Sequence, residues 1–230
     1  MMREAQSQFS PSRAVPLRVS VILAHPSSRS FNAAIAQTAV TALKRNHHRV
    51  IFHALYRERF DPVLPALEIK KGANLPPGIQ RHCYEIRKAD GLVIVHPNWW
   101  GEPPAILKGW VDRVLRVGVA YDFPPGPQGA AGLPIELLHN IKTVLVLNTS
   151  DTPAQREAEV LRDPLQTIWK NTLRFCGVRG FRRKMYRVVV ISTPAQRVSW
   201  LRDVSIRSSR AFPRSRSVRQ ALRSDRGIPQ

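Results

Sequence analysis

Two short apolar stretches, Arg18-Val-Ser-Val-Ile-Leu-Ala24 and Gly91-Leu-Val-Ile-Val-His96, both lead into a His-Pro pair. Continuous apolar runs of this length are typical of strands that are buried on both faces of a parallel sheet. A helical pattern follows each run, with Ser30 as the expected cap of the first helix. Because strands and helices alternate, the two stretches predict the first and third strands of an α/β domain with a parallel sheet.

Three more segments complete the predicted sheet. Further strands are predicted at 49–55, 142–147 and 187–191, and further helices at 78–89, 103–115, 154–175 (with a break near Pro164) and from Thr193 towards Val204. This succession fits a doubly wound five-stranded parallel sheet with the strand order 2-1-3-4-5 and helices on both faces. Ligands bind such sheets beyond the carboxyl ends of the strands, between strands one and three.

The chain of 230 residues carries a formal net charge of +20, from 36 lysines and arginines against 16 acids. Residues 206–230 hold seven arginines and one aspartate, so this tail contributes 7 − 1 = +6 and leaves 20 − 6 = +14 elsewhere. The other basic residues are scattered between apolar segments, which favours a solvated basic surface over a nucleic-acid-binding patch. No nucleic-acid partner is therefore expected.

The domain prediction follows from these patterns. We expect a folded domain over 18–204, a disordered segment over 1–17 and a basic, disordered tail over 205–230. Two cysteines, Cys83 and Cys176, exclude a disulfide scaffold. No apolar run is long enough to cross a membrane, and the N-terminus does not read as a signal peptide, so the expected location is the cytoplasm.

The first candidate binding loop, 24–32, follows the first strand. It offers hydroxyl groups, the imidazole of His25, the guanidinium of Arg29 and the free N–H groups of a helix N-terminus, which suit an anionic phosphate. The alternative is an ordinary strand-to-helix turn that Ser30 caps.

Two more candidate loops follow the third and fourth strands. The loop 96–104 contains Trp99 and Trp100, which could stack on a ring-shaped ligand or could instead close the core and cap a helix. The loop 148–152 is rich in small polar groups that could bind the edge of a heterocycle or could form a simple turn.

Several common motifs are absent. The sequence has no G-x-G-x-x-G, no G-x-x-x-x-G-K-[ST], no G-x-S-x-G and no H-E-x-x-H. A dinucleotide-binding Rossmann site, a P-loop and a hydrolase nucleophile elbow are each disfavoured. His25 and His96 have no third ligand at a metal-binding spacing, so no metal site is expected.

Three blocks of the sequence resemble a known family. Ala24-His25-Pro26 with Ser30-Phe31-Asn32, the run from Pro97 through Pro104-Ala-Ile-Leu-Lys-Gly-Trp110 to Val114, and Phe175-Cys-Gly177 occur in the family's order. The chain from about 18 to 204 resembles the NAD(P)H:quinone oxidoreductases of the flavodoxin-like superfamily.

The resemblance implies a homodimer that binds FAD, with FMN as the alternative, and passes a hydride from NAD(P)H through flavin N5 to a quinone-type acceptor. No catalytic side chain is implied. The cofactor-binding residues that it implies are His25, Ser30, Phe31, Asn32, Pro97, Asn98, Trp99, Trp100, Thr149, Ser150 and Asp151. Tyr121 and Phe123 match aromatic residues that contribute to the partner's substrate pocket.

The third loop departs from the family pattern. The family's Thr-Thr-Gly-Gly is here Thr149-Ser150-Asp151-Thr152, and the loss of both glycines changes how closely the backbone can approach a flavin. Two other interpretations stay open: a regulatory flavoprotein subunit of an ion-efflux system, and a nucleic-acid-associated protein that binds through its basic tail. Peripheral contact with a membrane also stays open.

Overall fold

The computed structural model describes residues 16–127 and 132–214. The strands are β1 (Arg18–Leu23), β2 (Arg49–Ala54), β3 (Gly91–Pro97), β4 (Tyr121–Asp122), β5 (Ile135–Glu136), β6 (Thr143–Ser150) and β7 (Phe181–Arg187). The helices are α1 (Phe31–Arg45), α2 (Pro77–Lys88), α3 (Ala105–Val114), α4 (Ala154–Glu159), α5 (Pro164–Phe175) and α6 (Pro194–Ala211), with a 3₁₀ turn at Ala66–Glu68.

The main sheet has five parallel strands in the order β2-β1-β3-β6-β7. Counting only its own strands, this is the order 2-1-3-4-5, so the predicted flavodoxin-like fold is confirmed. A second, two-stranded antiparallel sheet joins β4 and β5.

Alternate residues of each central strand enter two different hydrophobic layers, since successive side chains of a strand point to opposite faces. Ile22 and Ile94 pack with residues of α2, α3 and α5. Val21 and Val93, one position earlier in the same strands, pack with residues of α1 and α6. The sheet is therefore covered on both sides, which explains why its inner strands are continuously apolar.

Side-chain caps fix where two of the helices begin. The Ser30 hydroxyl accepts a hydrogen bond from the Ala33 N–H at 3.1 Å, which confirms the predicted cap of α1. Thr193 and Gln196 form a capping box, in which each side chain accepts the other residue's backbone N–H. Among the described helices, none is both long enough and apolar enough to cross a lipid bilayer.

The prediction of the fifth strand at 187–191 is wrong. The strand β7 covers Phe181–Arg187, and Val190 and Ile191 lie exposed beyond its end. The segment FRRKMYR lacks the apolar run that marks the inner strands because β7 is the edge of the sheet and only partly buried. Edge strands tolerate charged side chains, which also discourage pairing with other sheet edges.

The predicted domain boundary at 204 is also wrong. Helix α6 continues to Ala211, and Ser208, Ala211 and Phe212 are buried. The Phe212 ring lies over β3, where a Cβ built on Gly91 would be 2.2 Å from Phe212 Cε1. The Phe212 carbonyl accepts hydrogen bonds from side chains of Asn46 and His48. The rest of the predicted tail, 215–230, and the predicted N-terminal segment up to residue 15 lie outside the described residues.

We predict that Phe212→Ala lowers the free energy of unfolding by about 3 kcal/mol, because truncating a buried aromatic side chain leaves a cavity. Urea unfolding followed by circular dichroism measures the change. Ile206→Ala is the matched control, since Ile206 lies on the same helix and is half-exposed. Equal, small losses in the two variants would contradict the burial of Phe212 and favour the boundary at 204.

Candidate functional site

The loops after β1, β3 and β6 meet at one edge of the sheet. The Asn32 side-chain Nδ2 at the start of α1 donates to Thr149 Oγ1 at 2.8 Å. The Asn98 backbone N–H donates to the Thr149 carbonyl at 2.6 Å, and Pro97 is aligned with Thr149 in the sheet. Three of the predicted site residues, Asn32, Asn98 and Thr149, are therefore brought together as expected.

Two buried amide oxygens at this junction have no hydrogen-bond donor among the described residues. They are Oδ1 of Asn32 and Oδ1 of Asn98. A buried acceptor without a donor costs free energy. The amide groups are otherwise anchored, since Asn98 Nδ2 donates to both carboxylate oxygens of the buried Glu157 at 3.2 Å. The site thus offers two fixed acceptors to a ligand that carries N–H or O–H groups.

Glu157 was not identified from the sequence. It belongs to α4, and its carboxylate is buried against Asn98. Nothing in the local sequence distinguishes Glu157 from the exposed Glu159, so only the position of α4 reveals this contact.

The β1 loop presents a neutral imidazole whose N–H has no acceptor among the residues that the structure describes. His25 Nδ1 accepts a hydrogen bond from the Ser27 N–H at 3.0 Å, so Nε2 carries the ring proton. Burial lowers the pKa of His25 below its usual value, which keeps the ring neutral at pH 7. His25 can therefore donate a hydrogen bond through Nε2 to an anionic oxygen.

A cavity of about 700 Å³ opens between this loop and the carboxyl end of β2. Its lining includes Leu23 and Phe52, and the charged residues that line it within the described parts of the chain are Arg29 and Arg57, both basic. Tyr56 also lines the cavity, and burial raises the pKa of its hydroxyl group above the usual value. The cavity suits a ligand that has both an apolar part and a phosphate group.

Trp99 and Trp100 do not share one environment. Trp99 and Glu102 exchange backbone hydrogen bonds, and the two residues between them, Trp100 and Gly101, have φ angles of 58° and 81°. A two-residue turn with both φ angles positive is typical of type I′ and favours glycine. Trp100 is fully exposed at this turn, while Trp99 is partly covered and has its ring 6.3 Å from that of His25.

Neither tryptophan closes the core, which excludes one of the two structural alternatives. A bulky residue such as Trp100 costs free energy when its backbone is in the left-handed region. Packing within the chain does not offset this cost, because the Trp100 side chain is fully exposed. This observation favours a contact between Trp100 and a ligand or a second subunit.

Three other predicted site residues make intramolecular contacts. The Phe31 ring packs against Trp200 at 5.7 Å and lies under the Arg197 guanidinium at 5.8 Å. Ser150 Oγ accepts a hydrogen bond from the Thr152 N–H within the turn. Asp151 Oδ1 accepts a hydrogen bond from the Val190 N–H at 2.7 Å, which holds this loop against the segment that follows β7.

Tyr121 and Phe123 form an aromatic cluster with Phe175. The ring centroid of Tyr121 lies 5.6 Å from that of Phe123 and 5.0 Å from that of Phe175. Within 16–127 and 132–214, neither ring stacks on an aromatic side chain of the three loops. Phe123 and Phe175 are each almost half-exposed.

A buried hydrogen-bond network lies directly beneath the β3 and β6 loops. His96 Nδ1 lies 2.7 Å from the Pro97 carbonyl, while Nε2 lies 2.6 Å from Asn148 Nδ2 and 3.0 Å from Trp169 Nε1. Asn148 Oδ1 in turn accepts from Arg183 Nε at 2.6 Å. The network joins β3, β6, β7 and α5 under the candidate site.

These contacts leave one protonation state for His96. Nε2 accepts from two N–H donors, so the proton must be on Nδ1, where it is donated to the Pro97 carbonyl. Complete burial lowers the pKa of His96 to about 3. The sequence indicated His96 only as the first residue of a candidate loop and as a histidine without a complete set of metal ligands. The structure makes it a neutral side chain that fixes the Pro97 backbone.

Comparison with known proteins agrees with this geometry. The sequence profile of the flavodoxin-like fold matches residues 18–198. The ribosyldihydronicotinamide dehydrogenase (quinone) of Pongo abelii is 32% identical over 185 residues, which cover 70% of this chain and 78% of that protein. The chain belongs to the NAD(P)H:quinone oxidoreductase family of the flavodoxin-like superfamily.

Other family members match shorter parts of their own length. An NAD(P)H oxidoreductase of Haemophilus influenzae is 42% identical over 109 residues, covering 46% of this chain and 54% of that protein. NAD(P)H dehydrogenase (quinone) 1 of Cavia porcellus is 31% identical over 183 residues, covering 70% and 64%. The chain thus spans about half of the length of the first of these relatives and a little under two thirds of the length of the second.

A solved structure supports the fold of this family member. The NAD(P)H:quinone oxidoreductase of Methanothermobacter marburgensis aligns with a TM-score of 0.70 at 23% identity, covering 84% of this chain and 96% of that one.

We predict that His96 makes stability pH-dependent. In the native protein His96 stays neutral at pH 5 because its pKa is about 3, whereas in the unfolded chain it takes up a proton below its usual pKa of about 6.5. Stability is therefore lost as the pH falls, by about 2 kcal/mol between pH 7 and pH 5.

Urea unfolding of wild type and His96→Leu at both pH values measures this contribution. The variant should be less stable at pH 7 because Trp169 and Asn148 lose an acceptor, but its further loss at pH 5 should be about 2 kcal/mol smaller than that of the wild type. His139→Leu, which replaces an exposed histidine, should keep the pH dependence of the wild type. The same loss in all three proteins would contradict the neutral, buried His96.

Proposed function

We propose that this protein binds a flavin and uses it to transfer a hydride from NAD(P)H to a quinone-type acceptor. The observation that carries the proposal is the junction of the β1, β3 and β6 loops, where Asn32 and Asn98 hold two buried amide oxygens with no donor among the described residues. Ribityl hydroxyl groups and the ring N–H of a flavin are donors of the kind that these acceptors need. Family membership supports the same ligand.

The residues present fit the parts of a flavin nucleotide. His25, Ser30 and the N-terminus of α1 would hold a phosphate, since neutral His25 can donate through Nε2 and the first helical N–H groups attract anions. Pro97, Asn98, Trp99 and Trp100 would line the isoalloxazine ring, and Thr149 with Ser150 its pyrimidine edge. Phe31 and Asp151 would act indirectly, by fixing the start of α1 and the turn after β6.

The bound flavin would supply the hydride chemistry at N5, and the protein would supply binding and orientation. No side chain has to act as nucleophile, acid or base. Thr149 is buried and held by both Asn32 and Asn98, so the loops that would flank the ring are fixed before a ligand arrives. Neutral His96 supports the Pro97 backbone without adding a charge beneath the ring.

The charge of the surface favours an anionic electron donor. A net charge of +20 attracts NADH and NADPH over long distances. Arg29 and Arg57 both line the 700 Å³ cavity beside the β1 loop, which makes the cavity a candidate site for a phosphate group of the donor or of the cofactor.

A homodimer is part of the proposal. The exposed Trp100 and the Tyr121–Phe123–Phe175 cluster are apolar surfaces that a second copy of the chain would cover. Tyr121 and Phe123 would then border the substrate pocket of the partner. The cytoplasmic location stays a prediction.

The identity of the flavin is the finer part of the proposal. The sequence resemblance implied FAD with FMN as the alternative. An azoreductase of Bacillus anthracis that shares the fold, at 16% identity and a TM-score of 0.67, was solved in complex with FMN, which supports FMN. Mass spectrometry of the flavin released from purified protein distinguishes the two.

We predict that anaerobic NADH or NADPH bleaches the visible absorption of the flavin-loaded protein, and that a quinone such as menadione restores it. Separate mixing with each donor identifies the preferred nucleotide. Folded protein that binds neither FAD nor FMN would overturn the flavin site. Flavin binding without bleaching by either donor would overturn only the oxidoreductase activity and favour the regulatory flavoprotein.

We predict that Trp100→Ala lowers flavin affinity or turnover about fivefold, because stacking on an aromatic ring contributes about 1 kcal/mol. The melting temperature should hardly change, since the Trp100 side chain is fully exposed. Leu67→Ala, at another strongly exposed apolar residue, is the matched control. An equal effect of Trp100→Ala on stability and on binding would mean that Trp100 has a packing role.

A further inference from the structure

Two histidines and a glutamate converge on the α2 side of β2. His53 is the last residue but one of β2, while His82 and Glu85 lie one helical turn apart on α2. One ligand atom from each of the three residues lies within 4.8 Å of the other two. A second carboxylate, that of Glu58 in the segment after β2, adjoins the same group.

The individual distances show how closely the four side chains approach. His53 Nε2 lies 2.6 Å from Glu85 Oε2, and His53 Nδ1 lies 3.0 Å from Glu58 Oε2. His82 Nε2 lies 3.6 Å from the same Glu58 oxygen. The two imidazole rings lie with their centroids 4.1 Å apart. Every nitrogen that faces the cluster therefore has a carboxylate oxygen beside it.

The surroundings of the cluster favour a bound cation. Both histidines are buried, and the two carboxylates are only partly exposed. The His82 and Phe60 rings pack edge to face, and Arg81 lies 3.7 Å from Glu58. A bound cation beside the partly buried Glu85 carboxylate and the two buried imidazoles would offset the cost of burying negative charge.

The cluster is separate from the proposed flavin site. Ala54, the residue after His53, lines the cavity beside the β1 loop. Because successive residues of a strand point to opposite faces, His53 points away from that cavity and towards α2. The inference therefore does not depend on flavin binding.

We propose that His53 through Nε2, His82 and Glu85 bind one Zn²⁺, while Glu58 stays hydrogen-bonded to His53 Nδ1 and fixes the orientation of that ring. Two imidazoles and one carboxylate are ordinary zinc ligands, and the fourth position of a tetrahedral ion would be left for water. At zinc–ligand distances of about 2.0 to 2.2 Å, ligand atoms lie about 3.3 Å apart.

Coordination has one local cost. Trp110 Nε1 donates to His82 Nδ1 at 3.3 Å. If zinc binds Nε2, the ring proton moves to Nδ1, and this long hydrogen bond is lost. The ion would in return join β2 and α2 through bonds to three side chains, which should raise the stability of this edge of the sheet.

The sequence did not reveal this site because its ligands come from two separate segments, β2 and α2. His53 and Glu85 are 32 residues apart, and neither lies in a recognised metal-binding motif. Only His82 and Glu85, at positions i and i+3 of α2, share a local pattern, and such a pair on a helix is common without a metal.

Zinc titration of the full chain, after removal of metals with EDTA, tests the proposal. We expect one Zn²⁺ per chain, measured by competition with a chromophoric chelator, together with a rise in melting temperature. Glu85→Gln and His82→Gln should each weaken zinc binding roughly tenfold or more. Glu85→Gln changes a partly exposed side chain with little change of volume, so it keeps the test valid if His82→Gln fails to fold.

His139→Gln is the matched control because His139 is an exposed histidine beside a glutamate, Glu136. It should bind zinc as the wild type does. Weaker binding in either folded cluster variant, with the control unchanged, supports the site. No saturable binding by the wild type, or equal binding by the wild type and both cluster variants, would overturn it.

Discussion

The structure depends on strand β3 being buried along its whole length. Every residue from Gly91 to Pro97 is buried, between β1 on one side and β6 on the other. The backbone N–H and C=O groups of such a strand must find hydrogen-bond partners within the protein. The residues around its two ends must also fit against it. At its start, Gly91 leaves room for the Phe212 ring. At its end, His96 has to bury an imidazole, which it does by placing both ring nitrogens in hydrogen bonds.

That requirement connects the core to the candidate site. The partners of His96 come from β6 and α5, and Arg183 of β7 extends the network through Asn148. The loops that follow β3 and β6 begin at fixed positions, because Pro97 and Thr149 are aligned where the two strands end. A site held on strand ends with satisfied hydrogen bonds beneath it is preorganised, so less free energy is spent on ordering when a ligand binds.

The large positive charge has several roles that composition could not separate. Arg113 is buried and bonds to Glu68, with Nη2 and Oε1 2.5 Å apart, and Arg183 belongs to the network under the site. Arg29 and Arg57 instead line an open cavity. These arginines therefore serve packing, positioning and attraction of anions in turn, which is why net charge was a weak guide to partners.

The sequence by itself determined the order of the strands and the cap at Ser30, because inner strands of a parallel sheet need continuous apolar runs. It also determined that the loops of Asn32, Asn98 and Thr149 meet, because the carboxyl ends of parallel strands share one edge of the sheet. Edge strand β7 and the end of α6 were misplaced, since partly exposed elements have no strong apolar pattern. The tertiary structure alone decided the role of His96, the burial of Glu157 and the cluster around His53. Each depends on side chains that are distant in sequence, and local periodicity does not indicate which of them come into contact in the folded core.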